Sequence, residues 1–111
     1  KKTRSIRRFK AEPLDDAVLR ELVDLARIGG SARNSQPLRY MIATDPELCR
    51  RIFPLLGWAG YLTDWPGPAE GERPVAYIIC LLDQSRSKGP DHEAFCDLGI
   101  ATQNLLLGAA E

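Results

Sequence analysis

The chain of 111 residues is one domain's worth, 44% hydrophobic and 27% charged, an ordinary globular composition. Fifteen basic residues balance fifteen acidic ones, which argues against a general nucleic-acid binder, since that function needs a basic excess to neutralise phosphates. The longest apolar stretches, residues 75–82 and 105–110, fall well short of the roughly 20 residues of a membrane helix, and the opening Lys1-Lys2-Thr3-Arg4 carries no apolar signal region. The expectation is a cytoplasmic protein with no membrane and no nucleic acid among its partners.

Residues 1–13 read as an extended, basic segment in which Ile6 and Phe9 are the large apolar anchors among Arg4, Arg7, Arg8 and Lys10. Asp15 then caps a helix whose Leu14, Val18, Leu22, Leu25 and Ala26 recur at steps of three and four, and Gly29-Gly30 stops it. A short segment without periodicity, Ser31-Ala32-Arg33-Asn34-Ser35-Gln36-Pro37, leads into a strand over residues 38–43 with Leu38, Tyr40 and Ile42 on one face. Thr44-Asp45-Pro46 starts a second helix, with Leu48, Ile52 and Leu55 or Leu56 as its inner face and Pro54 as its kink or end.

Residues 57–74 hold four glycines, three prolines, Trp58, Tyr61 and Trp65, and read as one long irregular loop, either a lid over a flat ligand or a hydrophobic flap. Residues 75–82 are continuously apolar, so a strand covered on both faces is expected there, followed by a polar loop over 83–91. The last segment, 92–111, reads as a helix apolar nearly all round and buried on more than one side. Its Gly99, Ala101, Gly108 and Ala109 would let another backbone approach closely, and it ends without a stop signal, as if the chain were cut inside a helix.

Catalytic signatures are absent. Cys49, Cys80 and Cys96 form no Cys-x-x-Cys pair, and with the single His92 they supply no metal-ligand set; buried, reduced thiols are expected. No serine lies in a nucleophile elbow, and neither a Gly-x-Gly-x-x-Gly nor a Walker-type phosphate loop is present. His92 reads as a surface or capping residue. Two segments remain. In the extended 3–9 segment, alternate side chains share a face, so Ser5 and Arg7 point one way and Arg4 and Arg8 the other. Arginine suits phosphate, because its planar fork bonds two oxygens at once, although a solvated basic terminus would look the same. The 31–37 segment offers two amides and two hydroxyls to a polar heterocycle, or serves as a simple connection.

Arg4-Ser5-Ile6-Arg7-Arg8-Phe9, one amphipathic helix, then Ser31-Ala32-Arg33-Asn34-Ser35-Gln36-Pro37 running into a strand resemble, in that order, the FMN-dependent nitroreductase family. Asp97-Leu98-Gly99-Ile100-Ala101-Thr102-Gln103-Asn104-Leu105-Leu106-Leu107 is similar to that family's central helix. The resemblance implies an α+β fold, a central sheet flanked by helices in an intertwined homodimer, with FMN at each subunit interface. By position it implies that Arg4, Ser5 and Arg7 hold the phosphate, ribityl chain and pyrimidine edge of FMN. Ser31, Ala32 and Asn34 match the loop that reaches the flavin, Ser31 and Ala32 being presented by the partner subunit. It further implies a ping-pong reaction in which NADH or NADPH reduces the flavin and a nitroaromatic, quinone or similar small-molecule acceptor then takes its place, with no protein acid or nucleophile required.

Two departures from the family pattern fall in the loop: Gly30 stands where proline is frequent, and Arg33 brings a charge in place of a small residue. Because the chain ends inside the segment that resembles the family's central helix, residues 1–111 are expected to be a partial nitroreductase-like FMN-binding domain without the family's C-terminal part. The competing expectation is a non-enzymatic flavin-binding or dimerisation module.

Overall fold

The computed structural model describes residues 4–111, so Thr3, which opens the arginine segment, lies outside the described residues. The elements in chain order are helix α1 (Asp16–Arg27), a 3-10 turn (Ala32–Asn34), strand β1 (Leu38–Ala43), helix α2 (Pro46–Ile52), a second 3-10 turn (Phe53–Leu55), strand β2 (Tyr77–Leu82) and helix α3 (Asp91–Ala109). The class is α+β. The strands pair in a two-stranded sheet. They run antiparallel, since Asp83, just past β2, donates its N–H to the carbonyl of Pro37, just before β1.

The chain divides into two compact units. The first comprises Asp15–Met41 and Ile78–Glu111, and the second Arg4–Leu14 and Ile42–Tyr77.

In the first unit, Asp15 caps α1 by accepting from the Ala17 N–H, and the helix ends at Arg27 with Ile28 as its C-cap and Gly29 behind it. Its buried residues are Leu19 and Ala26, whereas Leu14 and Val18 of the expected stripe stand about half exposed. The helix is thus rotated slightly from the sequence-derived face. It packs on α3, where the Asn104 side chain donates to the Leu25 carbonyl at 3.2 Å and the absent side chain of Gly108 makes room for Leu22 and Leu25.

The long α3 departs furthest from expectation. Its buried residues are Ala94, Asp97 and Ala101, while Phe95 (65% exposed), Ile100, Leu106 and Leu107 stand open. Gly99 likewise faces open space. The expected burial on several sides is therefore met on one side only within this chain. Strand β2 begins at Tyr77 rather than residue 75, and instead of being covered on both faces it is half-buried, with Leu81 and Leu82 exposed. An apolar sequence specifies a surface that favours burial, not the partner that supplies it.

The second unit is built around aromatics. Asp45 caps α2 by accepting from the Leu48 N–H, and Pro54 sits in the turn that ends it, as its missing N–H dictates. The buried residue of α2 is Cys49, whereas Leu55 is 82% exposed, so the inner face follows the Cys49 side and stops before the turn. Trp58 packs against Phe53 with ring centroids 5.1 Å apart and against Phe9 at 6.3 Å. Gly67, at φ 109°, lies under the indole, where a Cβ would stand 2.5 Å from Trp58 Cδ1. The 57–74 loop is irregular, as expected.

Candidate functional site

The N-terminal arginines lie in the second unit. The Phe9 N–H donates to the Glu72 carbonyl at 2.9 Å, which docks the extended segment on the loop. Arg8 is neutralised by Glu72, with Nε 3.5 Å from the carboxylate. Its neighbours are left differently. Arg7 lies with its guanidinium 5.4 Å from the centre of the Tyr61 ring, a cation–π contact that keeps the charge. Neither Arg4 nor Arg7 has an acidic partner among the described residues. Arg4 and Ser5 are exposed and Arg7 is half-buried. Among the described residues two guanidiniums thus lack an acidic partner and the Ser5 hydroxyl stands exposed beside them, which suits an anionic, oxygen-rich ligand.

The second candidate segment lies in the first unit, between Gly30 and β1. Here the backbone is unusual: Arg33, Asn34 and Gln36 all have left-handed φ, at 56°, 50° and 48°. Side chains with a Cβ adopt this region only when their surroundings hold them there. Four contacts do so. Ser31 Oγ accepts from the Gln36 N–H at 3.0 Å, and Ser35 Oγ donates to the Ala32 carbonyl at 2.9 Å. The Ala32 N–H donates to Asp97 Oδ1 of α3 at 3.0 Å. Arg33 grips Glu93 of α3 through Nε and Nη2, at 3.0 and 2.9 Å.

The charge that Arg33 brings to the loop is therefore paired, and hydrogen bonding to it holds the Glu93 carboxyl below its usual range. What remains outward is the Asn34 side-chain amide, exposed and without a hydrogen bond among the described residues. Ser31 and Ala32 are half-buried. Beside the loop lies a cavity of about 460 Å³ lined by Gly30, Ser31, Gln36, Arg86 and Asp97.

Arg4, Ser5 and Arg7 thus belong to one unit and Ser31, Ala32 and Asn34 to the other. Asp97 and Glu93, which shape the loop, were not singled out as site residues from the sequence. Asp97 carries a signal all the same, as a carboxylate in the middle of an otherwise apolar helical run. Trp58 is committed to packing inside its unit, and Tyr61 (72% exposed) is the open aromatic of the loop. His92 is exposed, as expected. Of the thiols, Cys49 is buried and Cys80 half-buried, but Cys96 is exposed on α3, against the expectation of burial throughout. No group of metal-ligating side chains occurs among the described residues, and no helix among them is long and apolar enough to cross a membrane.

Comparison with known proteins identifies the family to which this α+β chain belongs. The nitroreductase family model matches residues 1–61, more than half of the chain, and the chain belongs to the nitroreductase family. A protein from Methanothermobacter thermautotrophicus, named as an NADH dehydrogenase/NAD(P)H nitroreductase, is 28% identical over 109 residues, which cover 98% of this chain and 52% of that protein. A crystal structure described as an NADH oxidase from Clostridium acetobutylicum superposes with a TM-score of 0.77 at 24% identity, over 97% of this chain and 59% of that one. A structure from Desulfovibrio desulfuricans, described as a nitroreductase in complex with FMN, gives a TM-score of 0.74 at 26% identity, over 97% of this chain and 58% of that one. The chain spans about half the length of the curated Methanothermobacter relative.

Proposed function

We propose that residues 1–111 form part of the FMN-binding domain of an NAD(P)H-dependent oxidoreductase that passes electrons to a nitroaromatic, quinone or similar acceptor. The observation that carries the reading is the pair of guanidiniums, Arg4 and Arg7, without acidic partners among the described residues while Arg8 beside them is paired with Glu72. Leaving two cations unpaired next to a carboxylate that neutralises a third suits a segment that waits for an anion. The donor set fits FMN: Arg4 and Ser5 present a fork and a hydroxyl to a phosphate and polyol. Asn34 and the Ser31 hydroxyl offer polar groups to a heterocycle.

FMN, when bound, supplies the two-electron redox chemistry, and the chain's contribution is binding, orientation and electrostatics. Arg7 brings a permanent positive charge, which at the pyrimidine edge favours the electron-rich form of the cofactor. The stacking of Arg7 on Tyr61 holds that charge in place without neutralising it. Donor and acceptor take turns at one open face, a ping-pong order that asks no proton transfer of any side chain here. Tyr61 and Trp65 of the 57–74 loop supply flat apolar edges suited to planar acceptors. The open apolar side of α3, with Phe95, Ile100, Leu106 and Leu107, supports association with a second copy.

The test is a visible spectrum of the FMN-reconstituted protein before and after anaerobic NADH or NADPH. Flavin absorbance that bleaches on adding the nucleotide supports the reductase. Bound flavin that stays oxidised supports a binding module without reductase activity, and no bound flavin contradicts both.

A further inference from the structure

Asp97 is an odd residue to find where it is. It is 4% exposed, on the buried side of α3 between Ala94 and Ala101. One carboxylate oxygen accepts from the Ala32 N–H at 3.0 Å, and the other is shut off from solvent with no hydrogen-bond partner among the described residues. Burying a carboxylate to satisfy a single amide is costly, since an uncharged acceptor would serve the same amide at less desolvation. A charge-assisted hydrogen bond is, however, about twice as strong as a neutral one.

The amide it holds belongs to the most strained segment of the unit, with Arg33, Asn34 and Gln36 all in the left-handed region. The other contacts are weaker anchors. The Ser31 and Ser35 bonds close the loop on itself and do not tie it to α3. The Arg33–Glu93 pair faces solvent and is screened by salt, and Arg86 reaches the Ser35 carbonyl only at 3.5 Å. Of the ties to α3, the Asp97 bond is the one made by a buried side chain.

We infer that Asp97 is a positioning residue: its buried carboxylate, through the Ala32 N–H, fixes the left-handed 31–36 loop in the shape that presents Ser31 and Asn34 to the flavin. This rests on the FMN reading above. Asp97 touches the loop and not the cofactor, so its effect is on how well the loop is arranged before FMN arrives.

The test is titration of the apo-protein with FMN, read by flavin fluorescence, for wild type, Asp97→Ala and Asp97→Asn, with amide exchange over residues 31–36 and apo melting temperature measured alongside. Asp97→Ala is expected to weaken FMN binding at least about tenfold, the scale of a lost hydrogen bond to a charged group, and to speed exchange in the loop. Asp97→Asn keeps an acceptor but not the charge, and is expected to fall between wild type and Asp97→Ala. Should Asp97→Ala fail to fold, Ala32→Pro removes the donor instead. Ser31, at φ −128° and ψ 144°, already has the backbone that precedes a proline, and Ala32 heads its turn. The inference is overturned if folded Asp97→Ala or Ala32→Pro binds FMN like wild type, or if Asp97→Asn falls as far as Asp97→Ala. Failure of wild type to bind FMN would instead overturn the underlying reading, and is seen before any variant is made.

Discussion

Arg33 and Glu93, sixty residues apart in the chain, close on each other through two hydrogen bonds of 3.0 and 2.9 Å and so clasp the 31–36 loop to the first turn of α3. The arginine that the sequence presents as a stray charge is in the structure half of a latch, at a position where its own backbone is left-handed.

The latch has a defined pH response. Hydrogen bonding to Arg33 lowers the Glu93 pKa in the folded protein, so the pair's contribution is complete above the ordinary glutamate range and is lost as pH falls through the depressed folded value. The protection factors of the Asn34 and Ser35 amides should stay constant from neutral pH down to the usual glutamate range and fall from there as pH drops through the depressed Glu93 value. Glu93→Gln should show the fast exchange at neutral pH, and a wild-type transition near neutrality would contradict the assignment.

The three thiols should differ in reactivity. Cys49 is buried and its Sγ lies 3.6 Å from the carbonyls of Ala43 and Val75, so burial raises its pKa and keeps it a thiol. Burial also raises Cys80. With a disulfide exchange reagent near pH 8, one thiol should react fast, and Cys96→Ser should abolish that phase. Cys49 should react only on unfolding. Fast labelling that survives Cys96→Ser would refute the order.

Gly67→Ala should destabilise the protein by about 1–3 kcal/mol, because the new Cβ meets both a positive φ and the Trp58 ring. The chemical denaturation midpoint reads this directly. Trp58→Phe should reduce the penalty of Gly67→Ala in a double-mutant cycle, since it shrinks the ring that the methyl strikes.

Leu19 is the large aliphatic side chain buried on α1, 3% exposed, and Leu19→Ala should cost about 2–5 kcal/mol by the same measurement. Val18→Ala, one residue before it and about half exposed, should cost far less. Equal effects would mean that α1 presents the face read from the sequence.

Local signals carried well from sequence to structure. The Asp15 and Asp45 caps, the Pro46 start, the Pro54 break and the alternation along β1 are set by groups within a few residues of one another, and each lies where its chemistry dictates. What failed depended on partners distant in sequence. Residues 75–82 and α3 are apolar enough to be covered on several sides, yet within this chain Leu81, Leu82, Phe95 and Leu106 remain open. Ser31, Ala32 and Asn34 were legible as a polar loop from their side chains. The tie to Asp97 was not, because it uses the backbone N–H of Ala32, which leaves no mark on residue type. The pairing of Arg8 with Glu72, while Arg4 and Arg7 have no acidic partner among the described residues, likewise needed coordinates.

The central claim is that Arg4 and Arg7 are held free for FMN, and the most direct measurement is the Kd for FMN of apo-protein, compared between wild type, Arg7→Ala and Arg8→Ala. Arg7→Ala should weaken binding at least about tenfold, the scale of a lost charge-assisted contact, and should lower the reduction potential of the flavin that still binds. Arg8→Ala, which removes a guanidinium already neutralised by Glu72, should leave binding within about threefold. Equal Kd values for all three, or a larger loss from Arg8→Ala than from Arg7→Ala, would contradict the claim.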